Sequence, residues 1–189
     1  MSTLIKVILF SLLQGYQVKQ MRDRHDFFDK HNFSMEPLYD MVHHNTRMVH
    51  TSPFILNSLL LAFWSPCWFK NCPSTLFSTY LDIWLTLMIV RSITTIVTAL
   101  PPSKPKCDEK HHPIFGGCFD KIFSGHTMTA LLTVLVLYQF NIVSPSMYYW
   151  WISLAALYGF LLVVSRDHYT IDVLISFVLT YAVFRLQMP

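Results

Sequence analysis

Apolar residues gather in long runs along this chain, and most polar residues fall between the runs. Crossing the hydrocarbon core of a bilayer takes about 20 predominantly apolar helical residues, with roughly 17–25 observed. Residues 53–69, 127–143 and 147–164 meet that length without a single Asp, Glu, Lys or Arg. Residues 75–100 are long enough but carry Asp82 and Arg91, and residues 169–184 carry Asp172. Residues 3–18 form the weakest run, with a short apolar core that includes Lys6. That run also fits a signal peptide, although no small-x-small cleavage site follows it. The pattern predicts six helices with both termini on one side. The expected fold is an all-α, polytopic six-transmembrane-helix bundle, one integral-membrane domain over residues 1–189.

Aromatic residues mark the ends of these runs. Trp64 and Trp68 close the second, and Tyr148, Tyr149, Trp150 and Trp151 open the fifth. Tyr and Trp favour the headgroup level because their rings are apolar and their tips polar. Residues 19–52 are polar and mixed in charge and read as a sizeable loop outside the membrane, with His43 and His44 solvated in it. Shorter connections fall at 70–74, 101–126, 144–146 and 165–168.

Composition strengthens the membrane reading. The chain has 189 residues, of which 53% are hydrophobic and 13% charged. A soluble domain carries about 25% charged residues. Half that share cannot coat a globular surface, so a soluble enzyme is excluded. A net charge of +3, scattered along the chain, excludes a nucleic-acid partner.

Ionisable groups within or beside apolar spans are costly and point to function. Three clusters qualify. Phe123-Ser124-Gly125-His126-Thr127 opens a helix. There Gly125 allows close backbone approach, the helix N-terminus suits a phosphate, and His126 can exchange a proton near neutral pH. A plain Ser cap beside a bystander histidine is the alternative. In Ser165-Arg166-Asp167-His168-Tyr169-Thr170-Ile171-Asp172, His168 and Asp172 are four apart and share a helix face. A carboxylate there can hold one imidazole nitrogen and leave the other as nucleophile or base. Arg166 offers a fork for phosphate oxygens. An ordinary polar i,i+4 pair at a membrane boundary is the alternative. Arg91, Thr94, Thr95 and Thr98 form a polar stripe on an apolar helix, expected to face the bundle interior. Arg91 lies nine residues from Asp82, about 13.5 Å along a helix, too far for a direct pair. Together the clusters predict a metal-free, cofactor-free phosphoryl-transfer site. One histidine attacks phosphorus and the other protonates the leaving alcohol.

These motifs resemble the sphingomyelin synthase family, a lipid-headgroup branch of the type 2 phosphatidic acid phosphatase (PAP2) superfamily. The resemblance rests first on Phe123-Ser-Gly-His-Thr127 and His168-Tyr-Thr-Ile-Asp-Val173. It extends to Arg91 through Thr98-Ala-Leu-Pro101 and to Glu36-Pro-Leu-Tyr-Asp40, where Tyr39 replaces a Pro. It also takes in Cys118-Phe-Asp120, where Phe119 replaces a Gly. Ser165-Arg166 is similar to the wider superfamily and to plant-like inositol phosphorylceramide synthases. The resemblance implies a PAP2-like six-span bundle. It implies transfer of a phosphocholine, phosphoethanolamine or phosphoinositol headgroup from a glycerophospholipid donor to ceramide, releasing diacylglycerol. It makes His168 the nucleophile, Asp172 its orienting partner and His126 the acid and base. Arg91, Ser124, Gly125, Arg166 and Asp120 fall in the phosphate-binding set.

The family's site faces the lumen or exterior, which would place the protein in the Golgi, endoplasmic reticulum or plasma membrane. Charge points the other way. The motif-bearing side carries ten Lys and Arg and the opposite side three. The positive-inside rule puts the richer side in the cytosol. The lumenal orientation is retained because some of those charges serve the phosphate site. In an oxidising lumen Cys107 and Cys118 are candidates for a disulfide. A zinc site from Cys107, His111, His112 and Cys118 is the alternative, as are free thiols. Two rival functions use the same residues. A lipid phosphate phosphatase would pass the phosphoryl group to water, but that branch's Lys-x6-Arg-Pro motif is absent before Pro101. A transporter or scaffold would bind lipid without turnover.

Overall fold

The computed structural model describes residues 2–30, 38–49, 53–98, 100–101, 103 and 122–188; for residues 21, 22, 24–29 and 53 it describes only the backbone. Eight helices are present among the described residues and no strand. They are α1 (Thr3–Lys30), α2 (Met41–Asn45), α3 (Pro53–Ala62), α4 (Ser65–Phe69), α5 (Ser74–Val97), α6 (Gly125–Gln139), α7 (Pro145–Val164) and α8 (Thr170–Gln187). Three of them, α5, α7 and α8, are long and apolar enough to cross a membrane.

The boundaries depart from the apolar runs at three places, each for a local reason. Helix α1 continues past residue 18 to Lys30, through what reads as loop from composition. Residues 19–30 contain no Gly or Pro and begin Lys-Gln-Met-Arg, all good helix formers, so polarity alone does not stop the helix. The charge-free run 53–69 breaks into α3 and α4 after Ala62. Pro66 lies four residues on. In an unbroken helix its ring would strike the Ala62 carbonyl and leave that carbonyl without a donor. Helix α6 ends at Gln139, four residues before its apolar run does. Asn141 turns left-handed at φ 56°. Its N–H then donates to the Tyr138 carbonyl, and the Ile142 N–H donates to that of Leu137, both at 2.9 Å. This Schellman closure satisfies the last carbonyls of α6. Ile142 and Val143 stay buried, but in the turn.

Helix α6 is the centre of the bundle and packs against α5, α7 and α8. Its charge-free sequence therefore serves burial within the protein. Met128, Leu132 and Leu137 are enclosed, together with Leu76, Ile83 and Leu87 of α5. The outer faces of α7 and α8 stay apolar, with Leu157, Phe160, Leu174 and Val178 exposed. Contiguous apolar surface of this kind suits lipid. The Cys67 and Cys72 sulfurs are joined in a disulfide across the α4–α5 turn, near the end of the bundle opposite the motifs. The expected pairing of Cys107 with Cys118, and the zinc alternative, lie outside the described residues.

Two charges that interrupt separate runs neutralise each other. Lys6 Nζ of α1 donates to Asp82 Oδ2 of α5 at 2.7 Å. Arg91 has no part in this pair, as its distance along the helix requires. Phe10 and Trp84 meet edge-on at 5.9 Å, so α1 and α5 run side by side in the same direction.

Gly159 sets the spacing of α6, α7 and α8. A Cβ there would lie 2.9 Å from Val173 Cγ1, 3.3 Å from Phe177 and 3.6 Å from Thr127. Gly159→Val is expected to destabilise the fold by about 1–3 kcal/mol through overpacking. Gly159→Ala should cost less, because about 1 kcal/mol of helix propensity offsets the clash. Thermal unfolding in detergent measures both, and a Val variant as stable as the parent would contradict this packing.

Candidate active site

The α7–α8 corner is a second Schellman turn, and its left-handed residue is Arg166 at φ 56°. A side chain in that region costs about 1 kcal/mol, which is why glycine usually occupies it. The Arg166 N–H donates to the Val163 carbonyl at 2.9 Å. The Leu162 carbonyl accepts from the Asp167 N–H at 3.0 Å and the His168 N–H at 3.2 Å. Three residues are thereby tied to the end of α7 before α8 begins.

Tyr169 is the N-cap of α8 and Asp172 its third residue, so the two make a capping box. Asp172 Oδ2 accepts from the Tyr169 N–H at 2.9 Å. The same oxygen lies 3.3 Å from His168 Nδ1, at the long end of hydrogen bonding. An ionised carboxylate only accepts, so Nδ1 is the nitrogen that carries a proton toward it. Asp172 is fully buried and His168 is 7% exposed. The i,i+4 spacing thus does two jobs at one oxygen: it starts the helix and holds a proton on Nδ1 of the histidine.

The α6 N-terminus is tied to the same region. Ser124 Oγ caps the helix, accepting from the Thr127 N–H at 3.3 Å and the Thr127 hydroxyl at 3.1 Å. The Ser124 N–H donates to Ser176 Oγ at 2.7 Å, and the Ser176 hydroxyl donates to the Asp172 carbonyl at 2.6 Å. One hydroxyl therefore bridges the Ser-Gly-His-Thr turn to the helix that carries Asp172. His126, the second residue of α6, is half-buried. Arg91 reaches this turn from α5. Its Nε donates to the Phe123 carbonyl at 3.2 Å. A Cβ on Gly125 would sit 3.4 Å from that Nε and 3.8 Å from the guanidinium carbon. Gly125 is what lets the cation lie against the backbone here. Thr95 is buried one turn beyond Arg91, as the polar stripe requires.

Residues 38–49 form a strap over the α7–α8 corner. Asp40 caps α2 through the Val42 and His43 N–H groups. It also accepts from the Thr170 N–H at 2.7 Å and the Thr170 hydroxyl at 2.9 Å. Burial opposes its charge, but the donors of Thr170 and His43 outweigh burial and hold its carboxyl below the ordinary 3.8. The Tyr169 hydroxyl accepts from the Leu38 N–H at 3.0 Å and donates to the Pro101 carbonyl at 3.2 Å. Ser103 Oγ donates to the Arg166 carbonyl at 2.6 Å, and the Val49 N–H to that of Val164 at 3.1 Å.

Parts of all four principal motifs therefore meet at one end of the bundle. Leu38 and Asp40, Arg91 and Pro101, Ser124 and Gly125, and His168 through Asp172 are linked by the bonds above. Arg166 donates through Nη2 to the His43 carbonyl at 3.0 Å. Asp120 lies outside the described residues. His43 corrects the solvated-loop expectation. It is 6% exposed and tucked under the strap, and only His44 is exposed. Adjacent histidines in a polar stretch look alike in sequence; the cap at Asp40 turns one of them inward. Ser176 and Ser103 also escaped sequence reading, because single hydroxyls carry no spacing signal.

Residues 117–188 match the family described as PAP2 superfamily, C-terminal. The chain is 31% identical to phosphatidylcholine:ceramide cholinephosphotransferase 2 of Homo sapiens, over 65% of this chain and 40% of that protein. It is 28% identical to phosphatidylcholine:ceramide cholinephosphotransferase 1 of Gallus gallus, over 84% of this chain and 41% of that protein. It is also 28% identical to phosphatidylinositol:ceramide inositolphosphotransferase of Trypanosoma cruzi, over 56% and 36% respectively. The chain thus spans about 40% of the length of these curated relatives. In its motifs, its helical architecture and these matches the chain is similar to the sphingomyelin synthase family within the PAP2 superfamily.

Proposed function

We propose that this chain moves a phospho-headgroup from a glycerophospholipid to ceramide. The observation that carries the reading is the buried His168–Asp172 pair, in which the carboxylate faces Nδ1 of the imidazole. In the first half, Nε2 of His168 attacks the donor phosphorus. A P–N bond forms and the P–O bond to diacylglycerol breaks. Protonated His126 gives its proton to the leaving oxygen. In the second half, neutral His126 takes the proton of the ceramide hydroxyl. That oxygen attacks phosphorus, the P–N bond breaks, and His168 is restored. Asp172 stabilises the cationic imidazole between the halves. Arg91, Arg166 and the α6 N-terminus at Ser124 and Gly125 hold phosphate oxygens. Asp120 is assigned to the same set from the motif alone.

Six spans are the reading that best fits helices at all six apolar runs, with α3 and α4 together forming the second. We keep the lumenal orientation from the resemblance; two cations held inside the protein, one from each side of the count, leave the charge imbalance in place. Lys6 pairs with Asp82, and Arg166 binds the His43 carbonyl. A glycosylation sequon inserted between residues 101 and 121 should be modified; an unmodified product beside a modified control would reverse the orientation.

The test is an assay in liposomes with labelled ceramide and phosphatidylcholine, phosphatidylethanolamine or phosphatidylinositol in turn. A labelled phosphosphingolipid with at least one donor is expected. Phosphate released from phosphatidate without any ceramide product would replace this reading with water as acceptor. Absence of turnover on every lipid by folded protein would remove it.

A further inference from the structure

A third imidazole reaches the site from the strap. His43 Nε2 lies 3.1 Å from the His168 carbonyl oxygen. A carbonyl only accepts, so Nε2 is the protonated nitrogen of His43. Its Nδ1 is buried and has no hydrogen-bond partner among the described residues. The ring is held against Tyr169, with centroids 5.5 Å apart and planes tilted by 31°. The His43 backbone is engaged at both ends. Its N–H donates to Asp40 Oδ1 at 3.3 Å, and its carbonyl accepts from Arg166 Nη2 at 3.0 Å.

Resting on the transferase reading, we propose that His43 is a positioning residue for His168. Asp172 fixes the imidazole of His168 from one side, and His43 fixes its backbone from the other. The need for a second anchor follows from the turn. Arg166 sits in the left-handed region, and such strain persists only where surrounding bonds over-determine it. His43 supplies two of those bonds, one to the Arg166 side chain and one to the residue two places on. Removing the imidazole lets the corner relax and moves Nε2 of His168 away from its line of attack. A misplacement of about 1 Å is enough to cost about 100-fold in rate.

The experiment uses the full chain in liposomes with the donor and labelled ceramide. His43→Leu removes the donor and keeps apolar bulk; His43→Gln keeps an N–H at similar reach. The Leu variant should lose about 10- to 100-fold in kcat with KM for both lipids within about 2-fold, and Gln should recover most of the loss. Melting in detergent checks that each is folded, and His43→Met replaces Leu if Leu is not. A second readout is the rate at which diethyl pyrocarbonate modifies His168, followed by peptide mass spectrometry; it should change in Leu and return in Gln. A Leu variant with parental kcat, or a folded Gln variant as impaired as Leu, would overturn the proposal. If the parent protein turns over no lipid, the transferase reading fails by itself. The modification rates then still decide: a change in Leu reversed in Gln supports the positioning role, and an unchanged rate in Leu removes it.

Discussion

His168→Ala is expected to lower headgroup transfer by about 10⁴-fold or more, the scale seen when a covalent nucleophile is removed. The residual rate would come from binding and phosphate stabilisation alone. Asp172→Asn is the more discriminating variant. The Asn oxygen can still accept from the Tyr169 N–H, so the start of α8 survives. That oxygen also still faces His168 Nδ1, but it has lost the negative charge that stabilises the cationic imidazole between the two halves of the reaction. A loss of about 10²- to 10⁴-fold in kcat is expected, with melting close to that of the parent protein. Initial rates with labelled ceramide measure both variants. Near-parental rates in Asp172→Asn would mean that the negative charge at the 3.3 Å contact does not matter to turnover.

The largest expected effect on stability comes from the Lys6–Asp82 pair. The Lys6 side chain is 8% exposed and that of Asp82 is 36% exposed. Lys6 Nζ also lies 3.3 Å from the Asp82 carbonyl, so the ammonium is satisfied twice by one residue. Asp82→Leu strands a buried cation and Lys6→Met strands its carboxylate. The first is expected to cost about 3–5 kcal/mol, because an unpaired buried charge carries its whole desolvation penalty, and the second less, because Asp82 is part-exposed and still accepts from the Thr3 hydroxyl at 3.3 Å. The double variant removes both charges and should lie within about 1 kcal/mol of the parent. Unfolding in mixed micelles gives the four free energies of the cycle. Additive losses would show that the two residues are not coupled, and α1 would then be held to α5 by apolar packing alone.

Local chemistry was legible in the chain, and contacts between distant elements were not. The His168–Asp172 pair could be read because i,i+4 is a property of one helix. The interior face of Arg91 followed from the Thr stripe beside it. The contact of Arg91 with Gly125 could not be foreseen, since it depends on how α5 and α6 cross. Lys6 and Asp82 each looked like a defect in an apolar run, and only the side-by-side packing of α1 and α5 makes them one feature. Apolar runs located the helices but not their ends, which Pro66 and Asn141 set through backbone geometry. His43 was misread because burial under a strap leaves no periodic trace in a five-residue helix.

The central claim is that His168 forms a bond to phosphorus. It is tested most directly by offering the protein a donor with a radiolabelled headgroup phosphate and no ceramide, quenching in alkali and mapping the labelled peptide. The expected label sits on His168, is missing from His168→Ala, and leaves the protein when ceramide is added before the quench. Undiminished transfer to ceramide with no label on His168, or label on His126 in its place, would contradict the account.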